Sequence, residues 1–341
     1  MSEQDPHALD GALPPAKNAH LFGHEAAEDF LARSYRSGKM HHAILLEGPE
    51  GIGKATLAFR LANHILSYPD PSQAPEQLSP PDLSSSVSRQ IASGASHNLL
   101  HLTRPVDEKT GRVKTTITVE EVRRAGHFFS QTSGTGNWRI VLIDPADDLN
   151  RNAANAILKM LEEPPRRSLF LVLSHAPGKL LPTIRSRCQP LRLSPLGDGD
   201  LAQALAGLGL PLDGGKTQEM VLGLSKGSVS QALKLLNYGG TEIITAFGDI
   251  LTGEGPAARK AMHRLADVLS GKDSEVIFGF FLDHLNDHLM ERARQSALAG
   301  DLDAADRQAK LVSQIAEQVG TAQAYNLDRK QTILSILEAA C

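Results

Sequence analysis

The chain has 341 residues, 41% of them hydrophobic, with 35 basic residues against 39 acidic ones and a formal net charge of −4. That length exceeds one ordinary core and predicts two or three domains, while the charge supplies no general attraction for a phosphate backbone. Aromatics are 4% with Trp138 as the one tryptophan, which argues against a stacking platform for single-stranded nucleic acid. Cys188 and Cys341 are the only cysteines, too few for a disulfide framework or a multi-cysteine zinc site.

Residues 1–20 have no basic start followed by an apolar stretch, so they are expected to be a disordered lead. No later run approaches the roughly 20 apolar residues that cross a bilayer, and a cytoplasmic protein is expected. Apolar runs at 43–47, 99–102, 140–144 and 169–174 have the pattern of strands buried on both faces. Helical patterns lie between them, which predicts a parallel sheet in an α/β domain over 21–195. Thr118 and Glu121 form a capping box for one helix; Ala154, Ile157, Leu158 and Leu161 give another its apolar stripe, stopped by Pro164-Pro165. Residues 67–97, rich in proline and serine, read as a mobile surface loop. Beyond 195 the strand runs cease. Helices over 201–208, 219–224 and 228–236 predict a small lid domain at 196–240. Ile277, Phe281, Leu285 and Leu289, then Leu311, Ile315 and Val319, predict a helical bundle over 241–341.

The segment GPEGIGKAT, 48–56, follows a strand and opens a helix. Gly48, Gly51 and Gly53 let successive N–H groups curl toward an anion, the helix from Lys54 adds its positive end, and Lys54 can reach outer phosphates. The plain alternative is a structural turn with a surface lysine. Two groups that hydrolysis needs are missing. Ala55 stands where a hydroxyl would ligate magnesium, and Thr56 comes one residue late, turned about 100° around the helix. Asp144 ends a strand at the edge where phosphates bind, or simply caps a turn, but Pro145 replaces the carboxylate that would activate water. Asp147 and Asp148 lie further into the turn and would need an altered backbone path to do so. His41-His42 and His97 with His101 have no complete metal-ligand set around them.

Leu21-Phe22-Gly23-His24, GPEGIGKAT, IDPADDLN, AANAILKMLEEPP and LLPTIRSRC, in that order, resemble the AAA+ subunits of bacterial clamp loaders, strongly over 21–195 and consistently over the helical remainder. AANAILKMLEEPP followed by SRC is far more specific than the phosphate loop. The resemblance implies a P-loop AAA+ parallel-sheet domain, a helical lid and a terminal helical collar in a pentameric assembly. Its implied partners are the motor subunits gamma/tau and the delta subunit of DNA polymerase III, which together open a sliding clamp and place it on primed DNA during replication. Arg187 matches the family's arginine that acts in trans beside a neighbour's γ-phosphate; a guanidinium stays charged and spreads its donors over several oxygens. The plain alternative for Arg187 is a surface salt bridge. Ser174 falls in the first nucleotide-sensor region. Ser230 stands where active members carry a second-sensor arginine. The four zinc-binding cysteines that many relatives carry near 67–97 are absent, so zinc is not expected.

The resulting expectation is a largely non-catalytic assembly subunit. Its degenerate nucleotide site, Gly48, Gly51, Gly53, Lys54, Thr56, Asp144 and Ser174, would hold ATP or ADP weakly, while Arg187 serves the next subunit. A self-sufficient AAA+ ATPase is the rival, and it would show turnover abolished by Lys54→Ala. A small-molecule phosphotransferase would need a compact acceptor pocket.

Overall fold

The computed structural model describes residues 8–107, 109–111, 113–130, 137–271 and 274–340. The chain divides into two compact units between Ser230 and Gln231.

In the first unit, strands β1 (Ala43–Glu47), β2 (Leu99–Leu102), β3 (Arg139–Ile143), β4 (Ser168–Ser174) and β5 (Gln189–Arg192) form one sheet in the order β2-β3-β4-β1-β5. Every pairing is parallel. The four strands read from apolar runs start within one residue of their expected positions. The fifth, Gln-Pro-Leu-Arg, is too short and polar to show in the sequence. It lies at the sheet edge, where Pro190, lacking an N–H, is tolerated.

Because side chains alternate across a strand, each apolar run feeds two cores. Ile44, Leu46, Ile140, Leu142, Leu169, Leu171 and Leu173 face helices α1 (Glu25–Arg36), α2 (Lys54–Ser67) and α3 (Ser86–Ala92). Ala43, Leu45, Val141, Ile143, Phe170 and Val172 face α4 (Val119–Ser130), α5 (Arg151–Glu162) and the short α6 (Pro182–Arg185). Ala154, Ile157 and Leu161 are the buried stripe of α5, with Leu158 partly covered, and the helix ends at Glu162 before the two prolines. Asn150 caps its start, its side chain accepting from Ala153 N at 2.9 Å.

Three local expectations are corrected. Residues 67–97 are not a free loop: Ala74, Leu78 and Ile91 enter the first core, and buried Ser88 accepts from Asn63 Nδ2 at 2.6 Å. Pro and Ser here supply caps and turns, Asp70 accepting from Ser72 N and Ser85 from Ser88 N. Of the lead, residues 8–20 are structured. Pro15–Lys17 makes a 3-10 turn, Ala16 packs on the core and the Ala19 carbonyl accepts from Arg60 Nη2 at 2.7 Å; residues 1–7 lie outside the described residues. In the expected capping box, Glu121 turns to Arg124, and it is Glu120 that hydrogen-bonds Thr118.

The region expected as a lid supplies α7 (Asp198–Gly207), α8 (Gly215–Ser225) and the start of α9 (Val229–Asn237) to the first unit. The second unit contains the rest of α9, then α10 (Gly240–Thr252), α11 (Gly255–Leu269), α12 (Glu275–Leu298), α13 (Leu302–Tyr325) and α14 (Arg329–Ala340). Ile277, Phe281, Leu285 and Leu289 are buried along α12, and Phe247 of α10 meets Phe281 edge to face at 5.4 Å. On α13 Ile315 is buried, while Leu311 and Val319 are only half-buried. No described helix is long and apolar enough to cross a membrane.

Candidate functional site

The loop between β1 and α2 has the backbone its glycines predict, with φ of +76° at Gly51 and +105° at Gly53, in the left-handed region. Gly48 serves close approach instead: a Cβ there would lie 2.5 Å from the Leu193 carbonyl oxygen. Lys54 opens α2 and is only 3% exposed. Its Nζ donates to the carbonyls of Gly48 at 2.7 Å and Pro49 at 2.5 Å, so the loop itself satisfies the lysine. Burial pushes the ammonium down to about 8 against the pull of Asp144, Glu50 and Asp147. Thr56 is buried one step along the helix, and Ala55 packs against the core without a hydroxyl to offer.

Both flanks of the loop are covered by this chain. His24 Nε2–H donates to the Ile52 carbonyl at 2.6 Å, and Leu21 lies 3.0 Å from where a Cβ on Gly53 would be. From the other side, Ser228 Oγ donates to Glu50 O at 2.8 Å and Val229 N to Gly51 O at 2.9 Å. A Cβ on Gly51 would stand 2.5 Å from both Ser228 and Ser230 side chains. Ser230, with its small side chain, lets the start of α9 sit directly on the loop.

At the sheet's C-terminal edge, Asp144 follows β3, its backbone N donating to Leu102 O at 2.9 Å. Its carboxylate is 3.8 Å from His101 Nε2 and pulls on the Lys54 charge. Ser174 ends β4 fully buried, and its hydroxyl donates to Asp147 Oδ1 at 2.8 Å. Asp147 also accepts from the backbone N of His175 at 2.6 Å and of Ala176 at 3.2 Å. With three donors fixing it, Asp147 is a clasp for the end of β4. Sequence reasoning missed that role: it saw a spare acid in the turn, and nothing in IDPADD announces contacts 27 residues away. His175 completes the cluster, its imidazole lowered by burial and by the nearby Lys54 charge. Lys54, Asp144, Asp147, Ser174 and His175 thus form one electrostatic neighbourhood. Among the described residues no group of three or more His, Cys, Asp or Glu has metal-binding proximity. His42 donates to Leu161 O at 3.0 Å, a structural contact.

Arg187 has separate surroundings. It follows α6 between two buried anchors, Ile184 and Cys188, whose thiol burial pushes up to about 12. Its Nη1 donates to Thr183 O at 2.8 Å and more weakly to Ser186 Oγ at 3.4 Å; its Nη2 meets Glu162 Oε1 at 2.5 Å. A third of the side chain remains open to solvent, and none of these bonds reaches the phosphate loop.

A phosphate loop after β1, an acid ending β3 and a β2-β3-β4-β1-β5 parallel sheet with helices on both faces define a P-loop protein of the AAA+ type. A family model described as "DNA polymerase III, delta subunit" matches residues 23–197, and the chain belongs to that family. It is 34% identical over 198 residues to DNA polymerase III subunit delta' of Pseudomonas aeruginosa, covering 58% of this chain and 56% of that one. It is 27% identical over 228 residues to DNA polymerase III subunit gamma of Buchnera aphidicola, covering 66% and 58%. The chain therefore spans somewhat over half the length of these two curated relatives. The solved structure of a gamma-subunit-related protein from Thermotoga maritima aligns over 93% of this chain and 98% of that one, with 15% identity and a TM-score of 0.46.

Proposed function

We propose that this chain works as a delta-prime-type subunit of a DNA polymerase III clamp loader and donates Arg187 in trans to a neighbouring ATPase subunit. Its partners on this reading are the motor subunits gamma/tau and the delta subunit; the complex acts inside the cell on the sliding clamp and primed DNA. Similarity to both delta' and gamma subunits supports a place among such subunits. The observation that carries the reading is a contrast within one chain. Arg187 is held with a third of its side chain open to solvent and donors to spare, whereas the chain's own loop lacks a metal hydroxyl at Ala55 and keeps Lys54 bound to loop carbonyls. A phosphate arriving at that loop must first displace two charge-assisted contacts, each of a kind worth about 1.5–3 kcal/mol. ATP or ADP is accordingly held weakly, and turnover belongs to the neighbour; no zinc is assigned. Residues 241–341, within the helical second unit, are the proposed collar.

The test is the complex reconstituted with motor, delta and clamp subunits on primed DNA. Arg187→Ala is expected to lower DNA-stimulated ATP hydrolysis at the boundary it serves by about 10³-fold or more. Lys54→Ala should lower it far less. Equal rates for the Arg187→Ala and wild-type complexes would contradict the donor role, and sustained hydrolysis by the isolated chain, abolished by Lys54→Ala, would favour a self-sufficient motor.

A further inference from the structure

We infer that Glu162 is a positioning residue for Arg187, orienting the guanidinium for its work on a neighbour's phosphate; this rests on the donor role proposed above. Glu162 is the last residue of α5, and its Oε1 takes a bond from Arg187 Nη2 at 2.5 Å. The other arm, Nη1, is fixed by the Thr183 carbonyl at 2.8 Å. Two chain segments 25 residues apart therefore grip the guanidinium from two directions.

Donor arithmetic separates positioning from mere storage. A guanidinium carries five N–H donors. One from each terminal nitrogen is taken by Thr183 and Glu162, and a third lies only loosely against Ser186. The Nε–H and the second Nη2 hydrogen remain, so Arg187 can stay gripped while it donates to a phosphate. An exposed surface pair by itself is worth little. This one joins the rigid end of a core-packed helix to a side chain whose neighbours Ile184 and Cys188 are buried, so its effect is on direction rather than stability. Fixing a charged donor in advance removes the ordering cost that would otherwise fall at the moment of reaction.

Two measurements test it. In the reconstituted complex, Glu162→Ala is expected to lower kcat for ATP about tenfold with KM little changed. Glu162→Gln, whose amide oxygen still accepts the bond, should recover most of that loss. In an Arg187→Ala background, Glu162→Ala should have no further effect. Independently of ATP, phenylglyoxal modification of the isolated chain, mapped by mass spectrometry, should become several-fold faster at Arg187 in Glu162→Ala. An unchanged modification rate would overturn the grip while leaving the donor role standing. Equal losses in both backgrounds would make Glu162 structural, and a faster complex would make it a restraint; either overturns the proposal. A silent Arg187→Ala would remove the donor role itself and this inference with it.

Discussion

At the scale of single residues, what the sequence disclosed was composition at fixed motif positions, and what it hid was partnership. Ala55 and Pro145 are visible in the motifs as groups that cannot hold magnesium or activate water. That Asp147 clasps Ser174, or that Glu162 holds Arg187, depends on chain ends brought together by the sheet and could not be read from spacing. His64 is a further case. It lies buried in α2 between Tyr35 and Tyr68, with Nε2 lacking a hydrogen-bond partner among the described residues, and burial pushes its imidazole down from 6.5 to about 4. The unfolded chain then binds the proton more readily than the folded one. Stability is thus fully present above about pH 6.5 and is lost as pH falls from there toward 4. Between pH 7 and 5 the melting temperature of the wild type should drop more steeply than that of His64→Phe. Parallel slopes would show that His64 titrates normally.

At the scale of elements, the four strands and α5 were legible because apolar runs and a 3.6-residue stripe are local signals. β5 was not, since an edge strand of four residues containing proline carries no periodicity. The stretch 67–97 was misread for a related reason: its composition marks turns, but three scattered apolar side chains, Ala74, Leu78 and Ile91, are enough to bind it to the core. That correction can be measured. Ile91 is 4% exposed, so Ile91→Ala should destabilise the protein by about 2–5 kcal/mol in denaturant unfolding. A change near zero would return the segment to the status of a loose loop. The phosphate loop belongs at this scale too. Its glycine conformations followed from the motif, whereas its covering by His24, Ser228 and Val229 joins three separate segments and emerged only with the fold.

At the scale of the whole molecule, a parallel-sheet unit carries the phosphate-loop backbone, while Ala55 and Pro145 offer neither a hydroxyl nor a carboxylate and Lys54 is bound to the loop's own carbonyls. The group best suited to phosphate chemistry, Arg187, stands apart from that site with no bond to its own loop. On the proposed reading, the nucleotide that Arg187 serves lies in another subunit. The most direct measurement is a structure of the assembled loader with a non-hydrolysable ATP analogue and magnesium. The account predicts the Arg187 guanidinium within hydrogen-bonding distance of the γ-phosphate in the adjoining subunit. An Arg187 that faces solvent, remote from every neighbouring nucleotide, would contradict it.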